Sequence, residues 1–274
     1  MDTSSLSVFS LEREGHVAIV RLDRPDARNA MGPAFFDELP AVMSEVADDD
    51  AVRVVVLAAN GPAFCAGIDL KAMVPEILPE GDGSSVAERQ ALLHRIRSMQ
   101  EAISAVAACP VPVIAAVHGA CIGGGVDLIT ACDIRLASAD ATFSVRETKL
   151  AMVADLGTLQ RIQEIVPQGH VAELVYTGRD LSADRAVRIG LVNDVHPTHD
   201  ALLDAAEGMA REIASNAPLA VQGAKRALQR SRDPSVADGL EDVAVWNAAF
   251  LQSEDLQEAL QAYREGRPPE FTGR

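Results

Sequence analysis

The run "CIGGGVDLITACD", residues 121–133, sets three consecutive glycines and one aspartate inside an otherwise apolar stretch. A carboxylate placed among Val126, Leu128, Ile129 and Ala131 is costly to bury unless it is paired, hydrogen-bonded or protonated. The pattern predicts a helix that starts at the glycines and carries Asp127 in its first turn, where N-terminal amides can satisfy the charge. Glycine also lets backbone N–H groups approach a ligand closely. The same glycines are equally consistent with a tight turn and close helix packing, so the run alone leaves both readings open.

Outward from this point the chain alternates strands and helices. "VRVVVLAA" (52–59) and "PVPVIAAVHGA" (110–120) are short apolar runs of the kind found in buried parallel sheets. With a helix over 86–108 between them they predict a right-handed βαβ unit. Upstream, "LSVFSLEREGHVAIVRLD" (6–23) predicts a hairpin turning at Arg13–Gly15, and "MGPAFFDELPAVMSEVADDD" (31–50) an amphipathic helix. Downstream, "DIRLAS", "ATFSV" and "GLVNDVHP" are further strands, and "PEGDGSS" (79–85) is a surface loop. Helices are expected near 200–214, 218–230, 235–250 and 254–264. The chain thus divides into a core over 1–200 and a helical part over 201–274.

Composition narrows the chemistry. Among 274 residues, 40 acidic side chains against 24 basic ones give a net charge of −16, which excludes a non-specific nucleic-acid binder. An anionic ligand must therefore find a local basic patch. Cys65, Cys109, Cys121 and Cys132 form no CxxC pair and are expected as buried, reduced thiols. No apolar run approaches a membrane span, and the first residues lack a basic n-region, so a cytoplasmic protein with no membrane partner is expected. P-loop, GxGxxG and GxSxG patterns are absent. The six histidines show no metal-ligand spacing, and "VHPTHD" around His196 and His199 is expected as a surface turn, so no metal is assigned.

Two glycine loops remain, "FCAGIDL" (64–70) and "CIGGGVDL" (121–128), each following a buried strand. Ligand sites in parallel sheets gather at the carboxyl ends of the strands. Two N–H groups converging there would make an oxyanion hole, in which one donor contributes roughly 3 kcal/mol to a transition state. Locally, Glu147 in "SVRETKL" fits a solvated loop residue, and Asp155 in "VADLGTLQRI" fits an N-cap.

Taken together, "RLDRPDARNAM" (21–31), "AFCAGIDLKAM" (63–73), "PVIAAVHGACIGGGVDLITACDIRLAS" (112–138), "ATFSVRETKLAMVADLGTLQRI" (141–162) and "TGRDLSADRAVRIGLVNDV" (177–195) resemble the crotonase, or enoyl-CoA hydratase/isomerase, superfamily. Within it the chain is most similar to the Δ3,5-Δ2,4-dienoyl-CoA isomerases, also through "SRDPSVADGLEDVAVWNAAFLQSEDL" (231–256). Hydratases typically carry glutamates at the positions of Asp127 and Glu147 and a small residue at that of Asp155. The isomerases resemble this chain in having aspartate, glutamate and aspartate.

The resemblance implies an α/β fold, a spiral of repeated ββα units, with a helical C-terminal region that builds a homotrimer or a homohexamer. It implies an acyl-CoA thioester substrate and no separate cofactor, coenzyme A arriving with the acyl group. Fatty-acid β-oxidation is the expected setting. The oxyanion donors carry over to the backbone N–H groups of Ile68 and Gly124. Gly67, Asp69, Leu70, Lys71 and Gly125 would line the substrate channel, and Lys71, Arg24 and Arg28 are candidates for the coenzyme A phosphates. Arg267 is a candidate for reaching a neighbouring subunit's site. Glu147 and Asp155 would be the acid/base pair, with Asp127 protonated or amide-bonded. Three alternatives stay open: a hydratase acting on 2-enoyl-CoA, another isomerase, hydrolase or decarboxylase of the same superfamily, and a non-catalytic acyl-CoA binder.

Overall fold

Short apolar runs form the sheets because alternate residues can be buried on opposite faces. The computed structural model describes residues 6–77, 86–230 and 253–274. In it β1 (Phe9–Glu14) and β2 (Val17–Leu22) make the expected hairpin, turning at Gly15–His16 with Gly15 at φ +59°. β3 (Val54–Ala59), β4 (Val113–Val117), β6 (Ile134–Ser138) and β9 (Asp194–His196) continue from β2 in parallel, completing a six-stranded sheet.

On one face, Val54, Val56, Ala58, Ile114 and Ala116 pack beneath α8 (His199–Ala214). That helix presents Leu202, Ala206, Ala210 and Ala214 at four-residue spacing, a narrow stripe that lets it lie close to the strands. The helix that opens the C-terminal part of the sequence is therefore part of the sheet's own packing. On the other face, Val55, Leu57, Val113, Ala115 and Val117 enter the larger core with α1 (Pro33–Ala47) and the inner side of α3 (Val86–Ala108).

A second, smaller sheet carries the two glycine loops. β5 (Ala120–Ile122), β7 (Thr142–Ser144) and β8 (Leu181–Ser182) pair in that order, and single bridges Cys65–Cys121 and Met31–Ile68 extend the array. β5 and β8 are not evident in the sequence, being three and two residues long and too short to show alternation. α2 (Leu70–Ile77) follows the first loop directly and is likewise new. The remaining helices are α4 (Gly124–Thr130), α5 (Thr158–Arg161), α6 (Gln168–Thr177), α7 (Ala183–Arg188), α9 (Pro218–Arg230) and α10 (Glu254–Glu265). The expected helix near 235–250 and the loop 79–85 lie outside the described residues.

The four cysteines are free and buried, as expected. The histidine turn differs from expectation: the His199 ring stacks on the buried His118 ring with centroids 3.8 Å apart, drawing the start of α8 onto the end of β4. No cluster able to hold a metal occurs among the described residues.

α9 is fastened to the sheet by one buried cation. The Lys225 ammonium donates to Asp133 at 2.7 Å and to the Val111 carbonyl at 2.8 Å, while Asp133 also accepts the Val113 N–H at 2.8 Å. Lys225→Met leaves Asp133 without its cation, and breaking a buried pair from one side costs about 3 kcal/mol. An unfolding free energy from urea titration lowered by about 3 kcal/mol is expected; an unchanged value would show that the contact is energetically idle.

Candidate active site

The first glycine loop is held so that one amide points away from the backbone ladder. Met31 donates to the Gly67 carbonyl at 2.8 Å and accepts from the Asp69 N–H at 2.9 Å, straddling Ile68. In this parallel bridge Ile68 turns its own N–H to the opposite side. The second loop enters through Gly123, at φ +50°, whose N–H donates to the Ser144 carbonyl at 2.8 Å and which caps α4. Gly124 is the first residue of α4, where an N–H has no partner within its own helix. Among the described residues no acceptor takes the N–H of Ile68 or of Gly124. The two loops are close: a Cβ on Gly67, which sits at φ +92°, would fall 2.9 Å from the Ile122 carbonyl and 3.9 Å from the Gly124 nitrogen. The close approach to the Ile122 carbonyl and the positive φ explain glycine at position 67. Gly125 packs likewise against Cys65 and Cys121.

Asp127, 1% exposed, points from α4 to the start of α5, where its Oδ1 accepts the Thr158 N–H at 2.6 Å. The amide that satisfies it thus belongs to another helix. Asp155 is not the N-cap that its local sequence suggests: α5 is capped by Gly157 at φ +120°, with no side-chain cap. Asp127 fills that role through space, and the Asp155 carboxyl is left facing the cavity. Glu147 is no solvated loop residue either. It opens a 3-10 turn over Glu147–Leu150; its Oε1 lies 3.1 Å from where a Gly123 Cβ would stand, and its Oε2 is buried with no hydrogen-bond partner among the described residues.

The three carboxyls share one cavity of about 580 Å³. Ile68 and Gly124 flank them, and Leu92, Ile96 and Met99 of α3 form one wall. The spacing of those three, i, i+4 and i+7, is a helical face that the sequence shows but that only the fold aims at the carboxylates. Leu70, Leu150, Met152 and Val153 lie at the exposed end. Burial raises all three carboxyl pKa values. For Asp127 burial outweighs the Thr158 amide bond, and with Glu147 and Asp155 nearby its pKa reaches about 7.

The basic candidates are spread along the outside. Lys71 and Arg28 are exposed, whereas Arg24 reaches Asp69 at 3.4 Å and the Ala30 carbonyl at 3.0 Å. Arg267 pairs with Glu258 and Glu265 within its own chain.

The enoyl-CoA hydratase/isomerase family model matches residues 12–274, nearly the whole chain. The chain is a member of that family. It is 46% identical over 266 residues to the human mitochondrial Delta(3,5)-Delta(2,4)-dienoyl-CoA isomerase, covering 96% of this chain and 80% of that protein. It is 43% identical to the peroxisomal enzyme of the same name from Arabidopsis thaliana, over 97% of this chain and 96% of that one. Among solved structures, enoyl-CoA hydratase from Bacillus anthracis superposes with a TM-score of 0.88 at 32% identity, covering 98% of this chain and all of the other. The two sheets and the ββα spiral are therefore the family's fold. One expectation is corrected by these relatives. They are named as mitochondrial and peroxisomal proteins, so the cytoplasmic assignment does not stand; a soluble composition does not distinguish one aqueous compartment from another.

The shifted Asp127 makes stability depend on pH in a definite direction. Its folded pKa of about 7 exceeds the ordinary 3.8, so its contribution is full below the lower value and is lost as pH rises through the upper one. Asp127→Asn keeps an acceptor for Thr158 and stays neutral. The melting temperature of the variant minus that of the parent should grow with pH until about 7 and then level off. A difference that stays flat from pH 4 to pH 8 would mean that Asp127 is ordinarily ionised.

Proposed function

We propose that this protein isomerises 3,5-dienoyl-CoA to 2,4-dienoyl-CoA. The observation that carries the reading is a third carboxyl, Asp155, beside Asp127 and Glu147 in one largely apolar cavity. The naming of relatives 43–46% identical as dienoyl-CoA isomerases supports it.

The reaction removes a proton at C2 and delivers one at C6, while the double bonds at C3 and C5 move to C2 and C4. These carbons lie four bonds apart, so two separate groups serve them. The thioester oxygen accepts the N–H groups of Ile68 and Gly124, which stabilise the enolate as C2 loses its proton. Asp155 takes the C2 proton and Glu147 supplies the proton at C6. Burial raises both pKa values, which makes Asp155 a stronger base and favours the protonated form of Glu147. Each turnover leaves the base protonated and the acid ionised, and exchange with solvent resets the pair. Asp127 stays fixed on the Thr158 amide and orients the diene between the other two. As a hydratase the site would hold water between Asp127 and Glu147, a scheme in which the third carboxyl, Asp155, has no part.

No cofactor enters this scheme beyond the coenzyme A of the substrate, whose phosphates would meet Lys71 and Arg28, with Arg24 behind them. The channel from Gly67 through Asp69, Leu70 and Lys71 would carry the thioester arm. Exposed Leu228, Leu256 and Leu260 support residues 201–274 as the part that joins subunits into a homotrimer or homohexamer.

A paired assay tests the reading. Purified protein should convert a 3,5-dienoyl-CoA to the conjugated 2,4-dienoyl chromophore, and Asp155→Asn should lower kcat by about 10²–10⁴-fold. Consumption of 2-enoyl-CoA by parent and variant alike, without isomerisation, would make the protein a hydratase. Tight acyl-CoA binding with no turnover of either substrate would make it a binder.

A further inference from the structure

The segment "RNAM" (28–31) runs as a rail beside the first glycine loop. Arg28 accepts the Ala66 N–H at 3.0 Å. The buried Asn29, at φ +54°, donates to the Asn60 and Ala63 carbonyls at 2.9 and 2.8 Å and accepts the Arg24 N–H at 2.8 Å. Met31 then makes the two backbone bonds that flank Ile68. Arg28, Asn29 and Met31 thus fix the loop from Asn60 to Asp69 at five points.

Met31 alone in the rail also reaches the second loop. Its side chain is fully buried, and its sulfur lies 2.8 Å from the point where a Gly124 Cβ would stand. The Ile68 Cδ1 is 3.6 Å from that same point. One residue therefore holds the Ile68 amide through its backbone and underlies the Gly124 amide through its thioether.

We infer that Met31 is a positioning residue that sets the spacing between the Ile68 and Gly124 N–H donors. This rests on the proposed acyl-CoA reading of the site. Met31 touches no reacting atom. Truncating it opens a void under Gly124, and the second loop relaxes into it while the first stays on its rail. Misplaced donors weaken the bond to the developing oxyanion more than the bond to the neutral thioester, so kcat falls while KM changes little.

The test compares parent, Met31→Leu, which keeps the volume, Met31→Ile, which branches at Cβ, and Met31→Ala, each as the full chain. Steady-state kinetics with 3,5-dienoyl-CoA are measured beside the infrared carbonyl stretch of bound 2,4-dienoyl-CoA labelled with ¹³C at the thioester. A merely structural residue would alter melting temperature without altering that stretch. Met31→Ala should lose about 10–100-fold in kcat with KM within about threefold, since sub-ångström misplacement carries costs of this order. Its carbonyl frequency should move toward that of free thioester, with Met31→Ile intermediate and Met31→Leu near the parent. Should Met31→Ala fail to fold, the frequency in Met31→Ile decides in the same way. Variants that keep the parent's carbonyl frequency, whatever their melting temperatures, overturn the role. A parent that binds the labelled thioester with no shift from the free value overturns the acyl-CoA oxyanion reading and Met31's part with it.

Discussion

The site depends on one bond between two helices. Asp127 on α4 accepts the Thr158 amide at the start of α5 across the buried end of the cavity. It settles a buried aspartate, and it caps a helix whose own N-cap is glycine. The segment just before that helix carries Asp155, so the bond also fixes where the third carboxyl stands. Gln100 of α3 secures the same segment from the other side, donating to the Asp155 carbonyl at 2.7 Å. Burial and the two neighbouring acids raise the Asp127 pKa to about 7.

Around this bond the two sheets divide the work. The six-stranded sheet, covered on one side by the alanine stripe of α8, supplies a rigid base. The small sheet brings the two glycine loops side by side through single bridges at Cys65–Cys121 and Met31–Ile68. Such bridges fix position with little regular strand, which leaves the amides of Ile68 and Gly124 unclaimed by any ladder. The cavity then sets a polar end made of acids and amides against walls of Leu, Ile and Met. In this low-dielectric setting each amide dipole acts more strongly than it would in water.

Much of this was legible in the chain. The apolar runs at 54–59 and 113–117 and the helix over 86–108 appear where their patterns place them, because burial on both faces leaves a continuous signal. The triple glycine and Asp127 also behave as read, a helix start carrying a buried acid. β5, β8 and α2 were not legible, since two or three residues of strand and one short helix lack a period to detect. Local reasoning misplaced Asp155 and Glu147 for a different reason. A cap and a loop carboxylate look alike in sequence whether they face solvent or a cavity; only the packing of residues 147–158 beneath α3 and α4 decides. Thr158 gave no signal because it acts through its backbone, and Met31 gave none because a buried methionine in a loop does not show in sequence which amides it supports.

If two different carboxyls serve two different carbons, isotope placement separates them. The 3,5-dienoyl-CoA is incubated in D₂O with parent, Glu147→Gln and Asp155→Asn, and deuterium is located by NMR. The account predicts deuterium at C6 of the product with the parent. With Glu147→Gln it predicts exchange at C2 of unconverted substrate and almost no product; with Asp155→Asn, neither. Loss of C2 exchange in Glu147→Gln, with C2 exchange retained in Asp155→Asn, would contradict the assignment and reverse the two roles.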